Sequence, residues 1–361
     1  MSLSKVSLSL TERLDFIPAL ATIVVAGFYA LLTGVWRSER QAKSLLLHFG
    51  YAIFRQATAR LSPTQMQAIL PRTNKVYDRY AKQTGLSAQT VDLGDGALGH
   101  WVGDRDATNV LIWFHGGGFA LPASIAHFKF FSQLIQHCNR GGKRLAIFSL
   151  TYSLAPQHAY PTQLRQAVAA TRYILSQSDR DPATVFLGGD SAGGNLVGGV
   201  LSHLAHPHPQ IEPIAHLTGA NAQLGGAVMI APWTLLDTEF PGQEIYHGGD
   251  IITTAVAGPW SSAYLGPQPA RDFYTDLSNA PTDWFARFPV QAILVTCGGN
   301  EIMMPIIQDF AQKLQAGFPT AELFVGLREC HVAPVYNLEL GDKTETEQGK
   351  KVKTWLVEHA R

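Results

Sequence analysis

Three cysteines in 361 residues, widely spaced, are too few for a disulfide framework, a thiolate metal site or a CxxC redox pair. No Asn-x-Ser/Thr sequon occurs, and packed, reduced thiols fit a reducing compartment. Excess charge of either sign is missing as well: 28 Lys and Arg balance 28 Asp and Glu, for a formal net charge of zero. That balance, without basic and aromatic residues interleaved, argues against nucleic acid as a partner. Internal repeats and low-complexity tracts are lacking, which excludes solenoid and fibrous architectures. What is present is a 46% hydrophobic share, enough for a sizeable core.

Two glycine-rich motifs carry chemistry. Gly189-Asp190-Ser191-Ala192-Gly193 is a G-x-S-x-G elbow. It follows the apolar run Ala183–Gly188 and precedes Asn195–Leu204, whose apolar residues recur at helical spacing. Strand, sharp turn and helix is the context in which such a serine projects as a nucleophile. Upstream, His115-Gly116-Gly117-Gly118 follows the apolar run Asn109–Phe114. Glycine N–H groups there can face a developing oxyanion without intervening side chains. Gly117 and Gly118 are the expected donors, with Ala192, the residue after the nucleophile. His115, Gly116 and Asp190 are expected to brace the motifs.

HGGGF, then Tyr152-Ser153-Leu154-Ala155-Pro156-Gln157-His158, then GDSAGGN resembles the hormone-sensitive-lipase group of α/β-hydrolases. More narrowly, it resembles fungal members often encoded beside secondary-metabolite enzymes. The resemblance covers residues 60–360. It implies an α/β-hydrolase fold: a mainly parallel central sheet flanked by helices, with a helical cap. It implies no metal and no cofactor. The family usually writes YRLAPEHPFP; here Ser153 replaces the arginine and Gln157 the glutamate. That pair is structural in the family, so the loop contacts are expected to differ while the chemistry remains.

A serine hydroxyl needs a base, and the base an orienting acid. In this fold the chain order is Ser, acid, His. Val290–Thr296 reads as a late strand, and Glu301 is the one carboxylate in the following turn, Cys297–Glu301. The resemblance maps the acid there. Asp309 is the rival, on what reads as a solvated helix face. Ala321–Leu327 reads as the last strand, and His331 follows it, where the family places its base. Cys330 beside it lacks an elbow and reads as a packed thiol. His158 reads as structural. His203, His206 and His208 cluster, but the prolines between them suggest an exposed helix-ending turn rather than a metal site.

Residues 16–36 contain no charge, and as a helix they would span about 31 Å, the thickness of bilayer hydrocarbon. After an N-terminal tail (1–15), this segment is expected to be a membrane-anchoring or transmembrane helix. Arg37, Arg40 and Lys43 behind it favour a cytosolic face for the rest of the chain. A helix of the cap or a cleaved signal peptide are the other readings. Residues 37–90 are expected to be a helical lead-in and cap. Residues 91–361 are expected to form the α/β-hydrolase domain, with a cap insertion at about 233–288 containing Trp233, Tyr246, Trp260, Tyr264, Tyr274 and Trp284.

The function these features imply is ester hydrolysis by Ser191, His331 and Glu301 on a compact, hydrophobic small molecule, in secondary metabolism by resemblance. The same site could pass its acyl group to another acceptor, or lactonise or cyclise an intermediate. A ligand-binding protein on this fold is a further reading, as is a membrane scaffold with a vestigial site. Retention of His331 favours an enzyme over a receptor. Oligomeric state is left open.

Overall fold

Apolar runs bounded by turn residues become the strands of one sheet in the computed structural model, which describes residues 7–177, 180–214, 222–237, 248–267 and 271–361. The strands are β1 (Gln89–Gly94), β2 (Ala97–Val102), β3 (Asn109–Phe114), β4 (Leu145–Thr151), β5 (Val185–Asp190), β6 (Gly226–Ile230), β7 (Ile293–Gly298) and β8 (Ala321–Gly326). Their spatial order is β1-β2-β4-β3-β5-β6-β7-β8. Neighbours from β4 to β8 run parallel. β1 pairs antiparallel with β2, and β2 with β4. β3, β5, β6 and β7 are buried along their whole length. Helices cover both faces of such a sheet, which is why these strands lack an apolar/polar alternation.

Helices α1 (Leu10–Thr33), α2 (Leu45–Arg60), α3 (Pro63–Ile69) and α4 (Thr73–Thr84) precede the sheet. α5 (Ile125–Arg140), α6 (Thr162–Leu175) and α7 (Ala192–Ala205) connect its first half. α8 (Ala257–Leu265) and α9 (Thr282–Phe285) lie between β6 and β7. α10 (Met304–Gly317), α11 (Ala333–Glu339) and α12 (Glu347–His359) complete the chain. α5, α11 and α12 pack together in one layer, and α6 packs on α7 in another. The strand order reverses at β3, with β4 on one side and β5 on the other. Loops at the carboxyl ends of β3 and β5 therefore open into one crevice, where ligands bind in doubly wound sheets. Those two loops carry HGGG and Ser191.

α1 begins at Leu10, six residues before the uncharged run. The reason is a capping box: Ser9 Oγ accepts from Glu12 N, and Glu12 closes back on Ser9 N. Its acidic residues are engaged by the folded chain. Arg60 of α2 grips Asp15 with both terminal guanidinium nitrogens. Ser62 and Thr64 donate to Glu12, and Gln65 Nε2 donates to its carbonyl. Together the two hydroxyls draw the Glu12 carboxyl down to about 2. Large apolar side chains still point outward along α1, Ile17 (78% exposed), Val25 (66%) and Phe28 (65%) among them.

The histidine cluster corrects one expectation. His203 and His208 are buried, not exposed. Each ring has its own partner: His203 Nδ1 accepts from His208 N, His206 stacks on Trp284 at 3.9 Å, and His208 Nε2 meets Tyr160 Oη at 3.1 Å. Within the expected insertion, residues 238–247 and 268–270, hence Tyr246, lie outside the described residues. Trp284 and Tyr274 pack against each other and the histidines. Trp233, Trp260 and Tyr264 instead surround the loop after β3, where Tyr264 stacks on Phe119 at 3.6 Å.

Candidate active site

Ser191 sits between β5 and α7 with φ 53° and ψ −118°, a left-handed conformation costly for any residue with a Cβ. The turn is held from several sides. Ser191 N donates to Ile230 O at 2.8 Å, and its carbonyl accepts from Trp233 N and Asn195 N at 3.0 Å. A Cβ at Gly193 would collide with the Phe114 carbonyl, so α7 can approach β3 this closely only with glycine there. The surroundings thus over-determine the strain and leave Ser191 Oγ at the head of the helix.

The loop after β3 is built around Asp190, the residue before the serine. Its buried carboxylate accepts from Trp113 Nε1 and Gly116 N, each at 3.0 Å, and lies 3.3 Å from His127 Nε2. Burial raises the Asp190 carboxyl, but its contact with His127 and the hydrogen bond from Trp113 outweigh it and hold it below its ordinary value. His115 is fully buried and stacks on Tyr152 at 4.2 Å, while Tyr152 Oη donates to the His115 carbonyl at 2.8 Å. Burial pulls the His115 imidazole down to about 4, so it stays neutral. Gly117 and Gly118 have φ of 102° and 58°. Side chains there would also run into Leu121 and Trp260, which roof the loop.

The loops after β7 and β8 bring the remaining groups. His331 Nε2 lies 2.8 Å from Ser191 Oγ, and its Nδ1 lies 3.0 Å from Glu301 Oε1. Glu301 Oε2 accepts from Gly298 N at 2.5 Å. All three side chains are buried. Burial alone would pull the His331 imidazole down, but the hydrogen bond and charge of Glu301, with Asp250 and Asp190, raise it above 6.5. Asp309, the rival acid, is 55% exposed and pairs with Lys313 at 2.9 Å one turn on. Cys330 is buried, and burial pushes its thiol well up.

A family model described as alpha/beta hydrolase fold matches residues 111–334. The chain belongs to that family. Carboxylesterase NlhH of Mycobacterium tuberculosis is 32% identical over 104 residues, 28% of this chain and 31% of the relative. Steryl acetyl hydrolase 1 of Saccharomyces cerevisiae is 23% identical over 250 residues, 65% of this chain and 56% of the relative. The chain thus spans between about a third and a little over half of these relatives' length. The solved structure of an esterase from the bacterial hormone-sensitive lipase family superposes with TM-score 0.62 at 21% identity, over 88% of this chain and 98% of that one. At that identity the shared feature is the fold.

Within this alpha/beta hydrolase, sequence reasoning missed two groups. One is the set of partners around Asp190, namely Trp113 and His127. The other is Asp250, whose carboxylate touches the loops of both Glu301 and His331. Among the described residues no group of three or more His, Cys, Asp or Glu is arranged to hold a metal ion. A cavity of 340 Å³ borders the loop after β3, lined by Gln67, Thr73, Pro122, Tyr152 and Leu154 among others, with Ser191 not in its wall.

Proposed function

We propose that this protein is a serine carboxylic-ester hydrolase with Ser191 as nucleophile, His331 as base and Glu301 as the orienting acid. The hydrogen-bonded chain from Ser191 through His331 to Glu301, 2.8 and 3.0 Å, carries this reading. His331 Nε2 takes the Ser191 proton as Oγ attacks the ester carbonyl. The N–H groups of Gly117, Gly118 and Ala192 receive the oxyanion, each worth about 3 kcal/mol of barrier. Collapse of the tetrahedral intermediate breaks the C–O bond, and imidazolium protonates the leaving alcohol. Water, deprotonated by His331, then attacks the acyl-enzyme and frees the acid. No metal or cofactor enters these steps.

Trp260 and Leu121 against the oxyanion loop support a compact acyl group, and the aromatic surroundings support an uncharged, hydrophobic ester. The name of the yeast relative, a steryl acetyl hydrolase, agrees with a small acyl group on a bulky apolar alcohol. Resemblance to fungal members encoded beside secondary-metabolite enzymes extends the proposal to an ester of a biosynthetic product. The test is turnover of p-nitrophenyl acetate, butyrate and octanoate. kcat/KM is expected to be at least about tenfold higher for acetate than octanoate, the difference a methylene chain makes when its pocket is closed. Equal or rising values with chain length would refute the compact site. No turnover together with no labelling by a fluorophosphonate would refute the enzyme.

We further infer that α1 attaches the protein to a membrane. Leu10, Leu14, Ile17, Val24, Phe28 and Leu32 recur at helical spacing and are all exposed, an unusual apolar surface for a water-facing helix. The bonds from Asp15 and Glu12 to α2 and α3 favour a helix lying in the interface over one that crosses freely. Replacing Ile17, Val25 and Phe28 together by Lys is expected to move the protein from the membrane pellet to the supernatant without loss of ester turnover. Retention in the pellet would sink this inference.

A further inference from the structure

Asp250 stands in the segment between β6 and α8 and reaches neither Ser191 nor the imidazole. It is 1% exposed, and its carboxylate bonds to both of the loops that present the reacting groups as well as to its own segment. Oδ1 accepts from His331 N at 2.8 Å and from Ile251 N at 2.7 Å. Oδ2 accepts from Ile302 N at 2.8 Å. One carboxylate thus joins the residue after Glu301 to His331 itself. A buried carboxylate is costly unless its lone pairs are filled, and here three backbone N–H groups fill them.

The segment carrying Asp250 is fixed from outside the sheet. Arg55 Nη1 of α2 donates to Asp250 O at 2.6 Å and to Gly248 O at 3.4 Å. Gly249 lies so close to the Arg40 carbonyl that a Cβ would overlap it. Asn300, beside Glu301, donates to Glu39 O at 3.4 Å. The chain before α2, α2 itself and the two loops therefore meet at this point.

Resting on the Ser191–His331–Glu301 reading, we propose that Asp250 is a positioning residue for the reaction, its carboxylate locking the His331 and Glu301 loops in register. With the lock in place His331 keeps Nδ1 on Glu301 and Nε2 on Ser191. The charged and titratable groups around it are Glu301 and His331 on the loops, Arg55 and Tyr51 on α2, and Cys330 beside His331. Burial pushes the Asp250 carboxyl up to about 6, the nearby Glu301 adding to it and His331 opposing it. Above that pH the anion lies close enough to favour imidazolium.

Asp250→Asn tests this. An asparagine oxygen can still accept from His331 N and Ile251 N. Its amide nitrogen must then face Ile302 N–H, donor against donor, and push the Glu301 loop away. A misplacement of the reacting groups by about 1 Å can cost roughly 100-fold in rate. The expected result is a 10- to 100-fold fall in kcat with KM within about twofold. The acid limb of kcat/KM should move to lower pH, because a negative neighbour of the imidazolium is gone. A purely structural role would lower the melting temperature and leave kcat of the folded variant at the wild-type value. A folded Asp250→Asn with wild-type kcat and pH profile overturns the proposal. If that variant does not fold, Arg55→Met, which frees the Asp250 main chain, replaces it. A several-fold loss of kcat at constant KM is then expected, and wild-type kinetics overturn the proposal. Ser191→Ala run alongside separates the two ideas. An inactive wild type sinks the hydrolase reading, whereas an active wild type, a dead Ser191→Ala and an unaffected Asp250 variant sink the positioning role alone.

Discussion

Ser191→Ala is expected to lower kcat for p-nitrophenyl acetate by about 10⁶-fold, to within the residual rate that oxyanion donors and binding alone provide. The size follows from the arrangement. Among the described residues, Ser191 Oγ is the hydroxyl bonded to His331 Nε2, 2.8 Å away. The Cys330 thiol is buried, its acidity suppressed, and its sulfur turns to the His331 carbonyl rather than the imidazole. Stability should change little. Alanine keeps the Cβ and so the same strained φ of 53°, while the lost hydrogen bond is worth about 1 kcal/mol. The variant should therefore melt near wild type and resist fluorophosphonate labelling. A folded Ser191→Ala retaining more than about a hundredth of wild-type kcat would place the nucleophile elsewhere.

The same scaffold explains why the serine and the HGGG loop could be read from sequence. Both are local devices. Gly193 must be glycine because the Phe114 carbonyl occupies the space of its Cβ, and Gly117 and Gly118 because their φ is positive. Such constraints leave short, fixed spellings. The buried strands β3, β5 and β7 were legible for a related reason: two covered faces demand apolar runs. Glu301 and His331 were placed by chain order and by resemblance: Glu301 follows β7, a strand of that kind, and His331 follows the half-buried edge strand β8.

What escaped sequence reading depends on long-range geometry. Asp250 bonds to Ile302 and His331, 52 and 81 residues away, from a segment with no periodic pattern. Gly248-Gly249-Asp250 marks a turn, but nothing in it points to two distant loops. Asp190 was noted as part of the elbow, yet its partners Trp113 and His127 come from a strand and a helix that meet only in the fold. The start of α1 is a different case. Ser9-x-x-Glu12 is a capping-box spelling, but the absence of charge from residue 16 onward outweighed it. His203 and His208 misled because the intervening prolines signalled a turn, and a turn can be buried when its polar groups find partners, as these do.

Glu301→Gln is expected to cost about 10⁴-fold in kcat, and the cause is the direction of a proton. Gly298 N–H is fixed by its backbone and needs an acceptor at 2.5 Å. Glutamine can satisfy it only with its carbonyl oxygen, which turns the amide NH₂ toward His331 Nδ1. An NH₂ there donates, so Nδ1 must accept and the ring proton moves to Nε2. His331 then presents N–H to Ser191 Oγ and cannot take its proton. The pH dependence shifts as well. On the proposed reading the active form carries a neutral imidazole; Glu301, with Asp250 and Asp190, holds the His331 pKa above the ordinary 6.5, so activity is expected to rise with pH through a midpoint above 6.5. Without the Glu301 charge, burial dominates and the imidazole falls, so the midpoint of the residual activity should move to lower pH. Asp309→Asn is the control, since Asp309 is exposed and paired with Lys313, and it should leave kcat within about twofold of wild type. The reverse pattern, a large loss in Asp309→Asn and a small one in Glu301→Gln, would transfer the acid's role to Asp309. It would also mean that the hydrogen bond between Glu301 and His331 is not the one that sets the base.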